Sequence, residues 1–148
     1  MSEQREWTVR NDEQRERLAR FIARLSDDDL LRVAPADGEW TVADTLAHLA
    51  FYDRRAEVLM RQFMREGVSP APYHFQSIND AMLPIARRIP PRDVALEALA
   101  AAEAADAVAT QISSELEAAM LEGKEVSPER WYHRKNHLDD LERELGAG

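Results

Sequence analysis

An all-α fold, a bundle of four long helices with one or two short helices beside it, is what the sequence predicts, on three observations. Apolar residues recur at spacings of three and four in four long segments. No segment shows the two-residue alternation of a strand bounded by turn residues. Glycine (five) and proline (seven) sit mostly in clusters, and the clusters cut the chain into helix-sized pieces. At 148 residues, a single domain over 1–148 is expected, long enough for a real core.

The first helix is expected in "RNDEQRERLARFIARL", where Leu18, Phe21, Ile22 and Leu25 share a face and Asn11 is the candidate N-cap. "SDDDLLRV" reads as a short helical turn capped by Ser26, and "APADGEW" as a loop. In "TVADTLAHLAFYDRRAEVLMRQFMREG", Thr41 caps the helix with Asp44 three residues on, a variant of the capping box. Val42, Leu46, Leu49, Ala56, Met60 and Phe63 form its stripe, and Gly67 stops it. "VSPAPYHF" is a proline-rich connection. "SINDAMLPIARRI" predicts a short helix ended by Pro90 and Pro91, with Asn79 and Asp80 as its starting cap. The alanine- and leucine-rich run from Arg92 to Gly123 has strong helix propensity, with a kink expected near Ser113 and Ser114. Ser127 would cap the last helix, with Pro128 in its first position and Gly146 closing it after Leu145. Four long helices with short connections suit an antiparallel or a crossover bundle.

Charge narrows the partners. A formal net charge of -9 repels phosphate backbones, and the paired arginines are interleaved with acids, which argues against nucleic acid. The same charge argues against anionic membranes, and no apolar run is long enough to span one. The absence of cysteine leaves His, Asp and Glu as the only metal ligands. The charged opening "MSEQREWTVRNDEQ" shows no signal peptide, so a cytoplasmic protein is expected.

The four histidines are therefore the residues to place. At about 100° per residue, His133 and His137 fall at the edge of the stripe that Trp131, Leu138, Leu141 and Leu145 make on the last helix. His48 sits beside the Val42/Leu46/Leu49 stripe. Such margins let side chains of two helices converge and still meet solvent, as a ligand set with one open position requires. They also suit hydrogen-bonded packing residues, and spacing alone leaves both readings standing. His74, in "APYHFQS", is either a pocket-lining or extra-ligand residue or part of an ordinary loop. Tyr52, one turn after His48, is either a proton donor to the same place or packing. Asp53 lies near the centre of an apolar stripe, where a carboxylate is costly unless paired. It predicts an ion pair with an arginine of another helix, in preference to a role orienting a ligand histidine.

The stretch "GEWTVADTLAHLA" (38–50), followed some eighty residues later by "HRKNH" (133–137), resembles the DinB/YfiT-like superfamily over about residues 10–145. The resemblance implies a four-helix bundle with a crossover connection and a divalent metal on His48, His133 and His137. Members with assigned activity include mycothiol-dependent maleylpyruvate isomerase and bacillithiol transferases, in which the metal activates a low-molecular-weight thiol. It thus implies a metal-dependent enzyme, a thiol-dependent transferase or a hydrolase. Zn or Ni would be the ion, Tyr52 and His74 the candidate proton-transfer residues, and a small molecule the substrate. The alternative is a non-catalytic module that holds metal or a small molecule in stress protection. A homodimer is expected, since leucine and tryptophan on one face of an acidic bundle favour self-association and the family's members often pair.

Overall fold

The computed structural model describes residues 5–34 and 38–146; within them are seven helices, no strand, and one isolated bridge between Val33 and Thr41. They are α1 (Glu6–Arg24), α2 (Asp27–Leu30), α3 (Val42–Glu66), α4 (Phe75–Ala86), α5 (Pro91–Ala109), α6 (Ser114–Gly123) and α7 (Trp131–Leu145). Of the expected loop at 34–40, residues 35–37 lie outside the described residues.

Local chemistry accounts for most boundaries. Ser26 and Thr41 each close a capping box, the first with Asp29 and the second with Asp44, so α2 and α3 begin where expected. Gly67 stops α3 with φ 83°, a left-handed conformation that costs glycine little. The alanine-rich run is broken, where only a kink was expected. α5 ends at Ala109, and the Ser113 side chain accepts from Leu116 N–H to start α6. Pro91 opens α5 at its first turn, where the missing N–H costs nothing.

Three starting caps are corrected. Asn11 does not cap α1, which begins earlier, at Glu6. Instead its buried side chain serves α7: Asn11 Oδ1 accepts from Arg130 N–H at 2.8 Å and Trp131 N–H at 2.9 Å, and Nδ2 donates to the Pro128 carbonyl at 2.9 Å. Helix α7 accordingly starts at Trp131, not at Pro128, and the Ser127 hydroxyl accepts from Glu129 N–H, short of the helix. Asn79 does not cap α4 either. His74 does, accepting from Ser77 N–H through Nδ1.

Named contacts set the directions of the four long helices. Asn11 meets residues 128–131 and Arg17 meets Asp139 and Glu142, so α1 and α7 run the same way. Arg15 meets Asp106 and Arg92 meets the Ile22 and Leu25 carbonyls, so α5 runs against α1. Arg130 and Arg134 both bond Asp53, while His133 meets His48, so α3 runs against α7. It follows that α3 and α5 are parallel, and the intervening chain through α4 carries the fold back along them. Asp44 holds α4 there, accepting from Arg87 Nη2 at 2.9 Å.

The core has two apolar clusters with a polar layer between them. One is built on Leu18, Phe21, Leu46, Leu49, Ala98 and Leu138, the other on Trp7, Met60, Phe63, Val108 and Met120. In the layer, Arg134 is 0% exposed. Its five N–H groups meet Asp53 (α3), Asp106 twice (α5), the Ala102 carbonyl (α5) and the Asn11 carbonyl (α1). One α7 side chain therefore joins all four long helices. Burial pulls its pKa down most strongly as a single influence, but Asp53 and Asp106 together raise it, so the guanidinium stays charged. The ion pair expected for Asp53 is present, with two arginines.

Candidate metal centre

The parallel and antiparallel pairings above bring one turn of α3 against one turn of α7, next to the polar layer. His48 arrives from α3, and His133 and His137 from successive turns of α7. Their ligand atoms all lie within 4.8 Å of one another, and His48 Nε2 is 2.9 Å from His133 Nε2. The three ring centroids are 4.8–4.9 Å apart, each pair of rings steeply tilted. Zn–N bonds of about 2.0–2.1 Å separate tetrahedral ligand nitrogens by roughly 3.4 Å. The 2.9 Å separation of His48 and His133 is near that value and the whole set lies within 4.8 Å, a spacing compatible with one shared ion.

A neighbour fixes how His48 presents itself. Asn79 Oδ1 lies 3.2 Å from His48 Nδ1 and accepts from the Tyr52 hydroxyl at 3.3 Å. With Asn79 Oδ1 as acceptor, the 3.2 Å contact is a hydrogen bond in the tautomer that carries its proton on His48 Nδ1. That tautomer leaves Nε2, the nitrogen facing His133, as the one with a lone pair to offer a metal. Trp40 packs on the same ring at 5.4 Å, and Tyr52 at 4.9 Å. The "GEWTVADTLAH" stretch thus supplies the ligand, its helix cap and a ring that steadies it.

His133 is kept neutral. Its pKa falls to about 2, first through burial, then through His137, His48 and the charges of Arg130 and Arg134. A neutral imidazole is the metal-binding form, and the surrounding positive charge withholds the competing proton.

Beside the histidines opens a hollow of about 350 Å³. It is lined by His48 and His133, by Tyr52, Tyr73 and Phe75, and by Asn79, Arg55 and Arg130. Burial, then Tyr73, raises the Tyr52 pKa, with Arg55 opposing, so the phenol remains a proton donor. Of the residues expected here, the structure brings together His48, His133, His137 and Tyr52. His74 stands apart: it is exposed, caps α4, and does not line the hollow. Sequence reasoning took Asn79 for a helix cap and passed over Arg55 and Tyr73. Arg55 carried a signal, since it continues the His48 and Tyr52 face at helical spacing. Asn79 carried none, because its role depends on α4 lying across α3.

A family model described as the DinB superfamily matches residues 10–140. The chain belongs to the DinB superfamily. The match takes in α3 and reaches past His137 on α7, so all three histidines fall within it. No curated protein and no solved structure matches the chain. The all-α architecture agrees with this membership.

Proposed function

We propose that this DinB-superfamily chain is a divalent-metal-dependent enzyme in which His48, His133 and His137 hold the ion. The observation that carries the reading is the convergence of three ring nitrogens from two helices within 4.8 Å, opening onto a hollow large enough for a small molecule. A bound Zn²⁺ or Ni²⁺ would act as a Lewis acid and lower the pKa of water or of a low-molecular-weight thiol. Transfer from such a thiol, or hydrolysis, is the reaction class. The chain has no cysteine, so a thiol nucleophile would have to come from a co-substrate.

The remaining steps belong to the chain's own groups. Asn79 holds the His48 tautomer, and Trp40 and Tyr52 hold the ring's orientation. The Tyr52 hydroxyl, at the wall of the hollow, is the proton donor to a bound substrate, a role that its place beside His48 and His133 supports. His74 uses Nδ1 in capping α4 and has no part in this scheme.

No helix among the described residues is long and apolar enough to cross a membrane. A homodimer belongs to the same reading. Exposed Phe51, Ile85 and Ile89 line an apolar groove of about 520 Å³ between α3 and α4, which a second copy would cover. Sedimentation velocity would report the dimer.

Elemental analysis of the purified protein beside a His137→Ala variant tests the centre. Near-stoichiometric metal in the parent and loss in the variant is the expected result. A parent that takes up neither Zn²⁺ nor Ni²⁺ would overturn it. Metal uptake without thiol-dependent transfer or hydrolysis would leave a binding module.

A further inference from the structure

Arg55 stands out among the arginines in and beside the hollow. Arg54 pairs with Glu57 and Glu97, and Arg130 pairs with Asp53. Arg55 donates instead to two backbone carbonyls, Ala71 at 2.8 Å and Glu125 at 3.3 Å, and its guanidinium stacks 4.1 Å from the Tyr73 ring centroid. Among the described residues no carboxylate pairs with it, although Glu125 also lines the hollow. The cation is thus held in position by neutral groups and keeps its charge available. Carbonyl acceptors and an aromatic face orient a guanidinium without neutralising it.

Its position relative to the histidines is set by α3. His48, Tyr52 and Arg55 follow at spacings of four and three, on one helix face. Seven residues of helix place Arg55 about 10 Å along the axis from His48. Between them run neighbouring rings, tilted against one another: Tyr73 lies 6.0 Å from Tyr52, and Tyr52 lies 4.9 Å from His48. Phe75 closes the same hollow. The hollow therefore offers His48 and His133 of the cluster, a fixed cation at Arg55, and aromatic rings between them.

Given the three-histidine ligand set proposed above, we infer that the hollow takes a small monocarboxylate with a planar, aromatic or unsaturated body. Arg55 is the anchor of its carboxylate, and the reacting end faces the histidines. The two N–H groups already engaged leave a planar edge of the guanidinium to a two-oxygen anion, the geometry of a bidentate pair. The net charge of -9 opposes anions in general and a dianion more than a monoanion, so a single carboxylate is favoured over a phosphate monoester. The flat body stacks on Tyr52, Tyr73 and Phe75.

Benzoate and benzamide, nearly isosteric and differing in charge, serve as probes. Each is titrated by calorimetry into zinc-loaded and metal-free protein whose zinc content has been measured. Benzoate is expected to bind the parent at least about tenfold more tightly than benzamide, the scale of a charge-assisted hydrogen bond. Arg55→Gln should bring benzoate down to the benzamide level at unchanged zinc content. Arg55→Lys, which keeps the charge but not the fork, should fall between, and both variants are checked for native helicity. Equal binding of the two probes by the parent, no binding of benzoate, or undiminished benzoate binding by a folded Arg55→Gln protein would overturn the anchor. A parent that takes up neither zinc nor nickel yet still prefers benzoate in an Arg55-dependent way would support the anchor and overturn the metal centre.

Discussion

His48 Nδ1 lies 3.2 Å from Asn79 Oδ1, so a residue of α4 decides which nitrogen of an α3 histidine faces α7. Outer partners of this kind raise ligand basicity and fix ring orientation, and their loss commonly costs tenfold to a hundredfold in metal affinity. Asn79→Ala should weaken Zn²⁺ or Ni²⁺ binding by about that factor while the helical signal stays intact. Asn79→Asp keeps an acceptor at the same place and should retain affinity. Competition titration against a chromogenic chelator separates the two variants. Equal affinity in Asn79→Ala and parent would show that the contact does not orient the ligand.

The neutral state of His133 gives the metal-free protein a defined pH response. Its folded-state pKa is about 2, against about 6.5 when unfolded. Above pH 6.5 both states are neutral and the group contributes nothing to the pH dependence. Below it the unfolded chain binds a proton that the folded chain refuses, so stability falls with falling pH. Between pH 6.5 and 5 the loss from this residue is on the order of 2 kcal/mol. Urea unfolding of metal-free protein at the two pH values should show it, and His133→Gln should flatten the difference.

Much of the fold is legible in the sequence because it is written in local signals. Thr41 with Asp44 and Ser26 with Asp29 announce helix starts within four residues. The Val42–Phe63 stripe shows its periodicity, and all six of its residues are buried. His48, His133 and His137 are legible for the same reason, as polar residues on the margins of such stripes. Arg134 is not. It lies in a run of charges that reads as a solvated face, and its burial depends on partners from three other helices. The trace it leaves is indirect: Asp53 and Asp106 stand among buried alanines and leucines, and each such carboxylate demands a cation. The lining of the hollow is in part equally non-local, since Tyr73 and Phe75 reach it only after the chain leaves α3 at Gly67.

Asn11 shows how a correct chemical type can be assigned to the wrong helix. Its side chain has the acceptor that an exposed N–H group seeks, but the N–H groups it serves belong to Arg130 and Trp131, at the start of α7. Asn11→Ala removes two accepted bonds and one donated bond in a buried place. A lost cap costs about 1 kcal/mol, and unsatisfied buried groups add to it, so a total near 2–3 kcal/mol is expected. Chemical denaturation gives the number. Because His133 lies two residues after Trp131, the variant should also bind metal more weakly, which a cap of α1 would not bring about.

Arg134 bears the largest expected effect. Removing one partner of a buried ion pair leaves charge without compensation and costs about 3–5 kcal/mol. Here Arg134→Met takes the central cation from Asp53 and Asp106 at once, though Arg130 and Arg15 still reach them. Those two arginines hold the loss toward the lower end of that range, about 3 kcal/mol. The double variant Arg134→Met with Asp53→Asn should then be less destabilised than the sum of its parts, because the second change removes a charge that the first left poorly paired. Urea unfolding of the parent, both single variants and the double variant measures the coupling. Strict additivity would mean that Arg134 and Asp53 do not act as a pair, and that packing of the α7 helix, not charge, carries the cost.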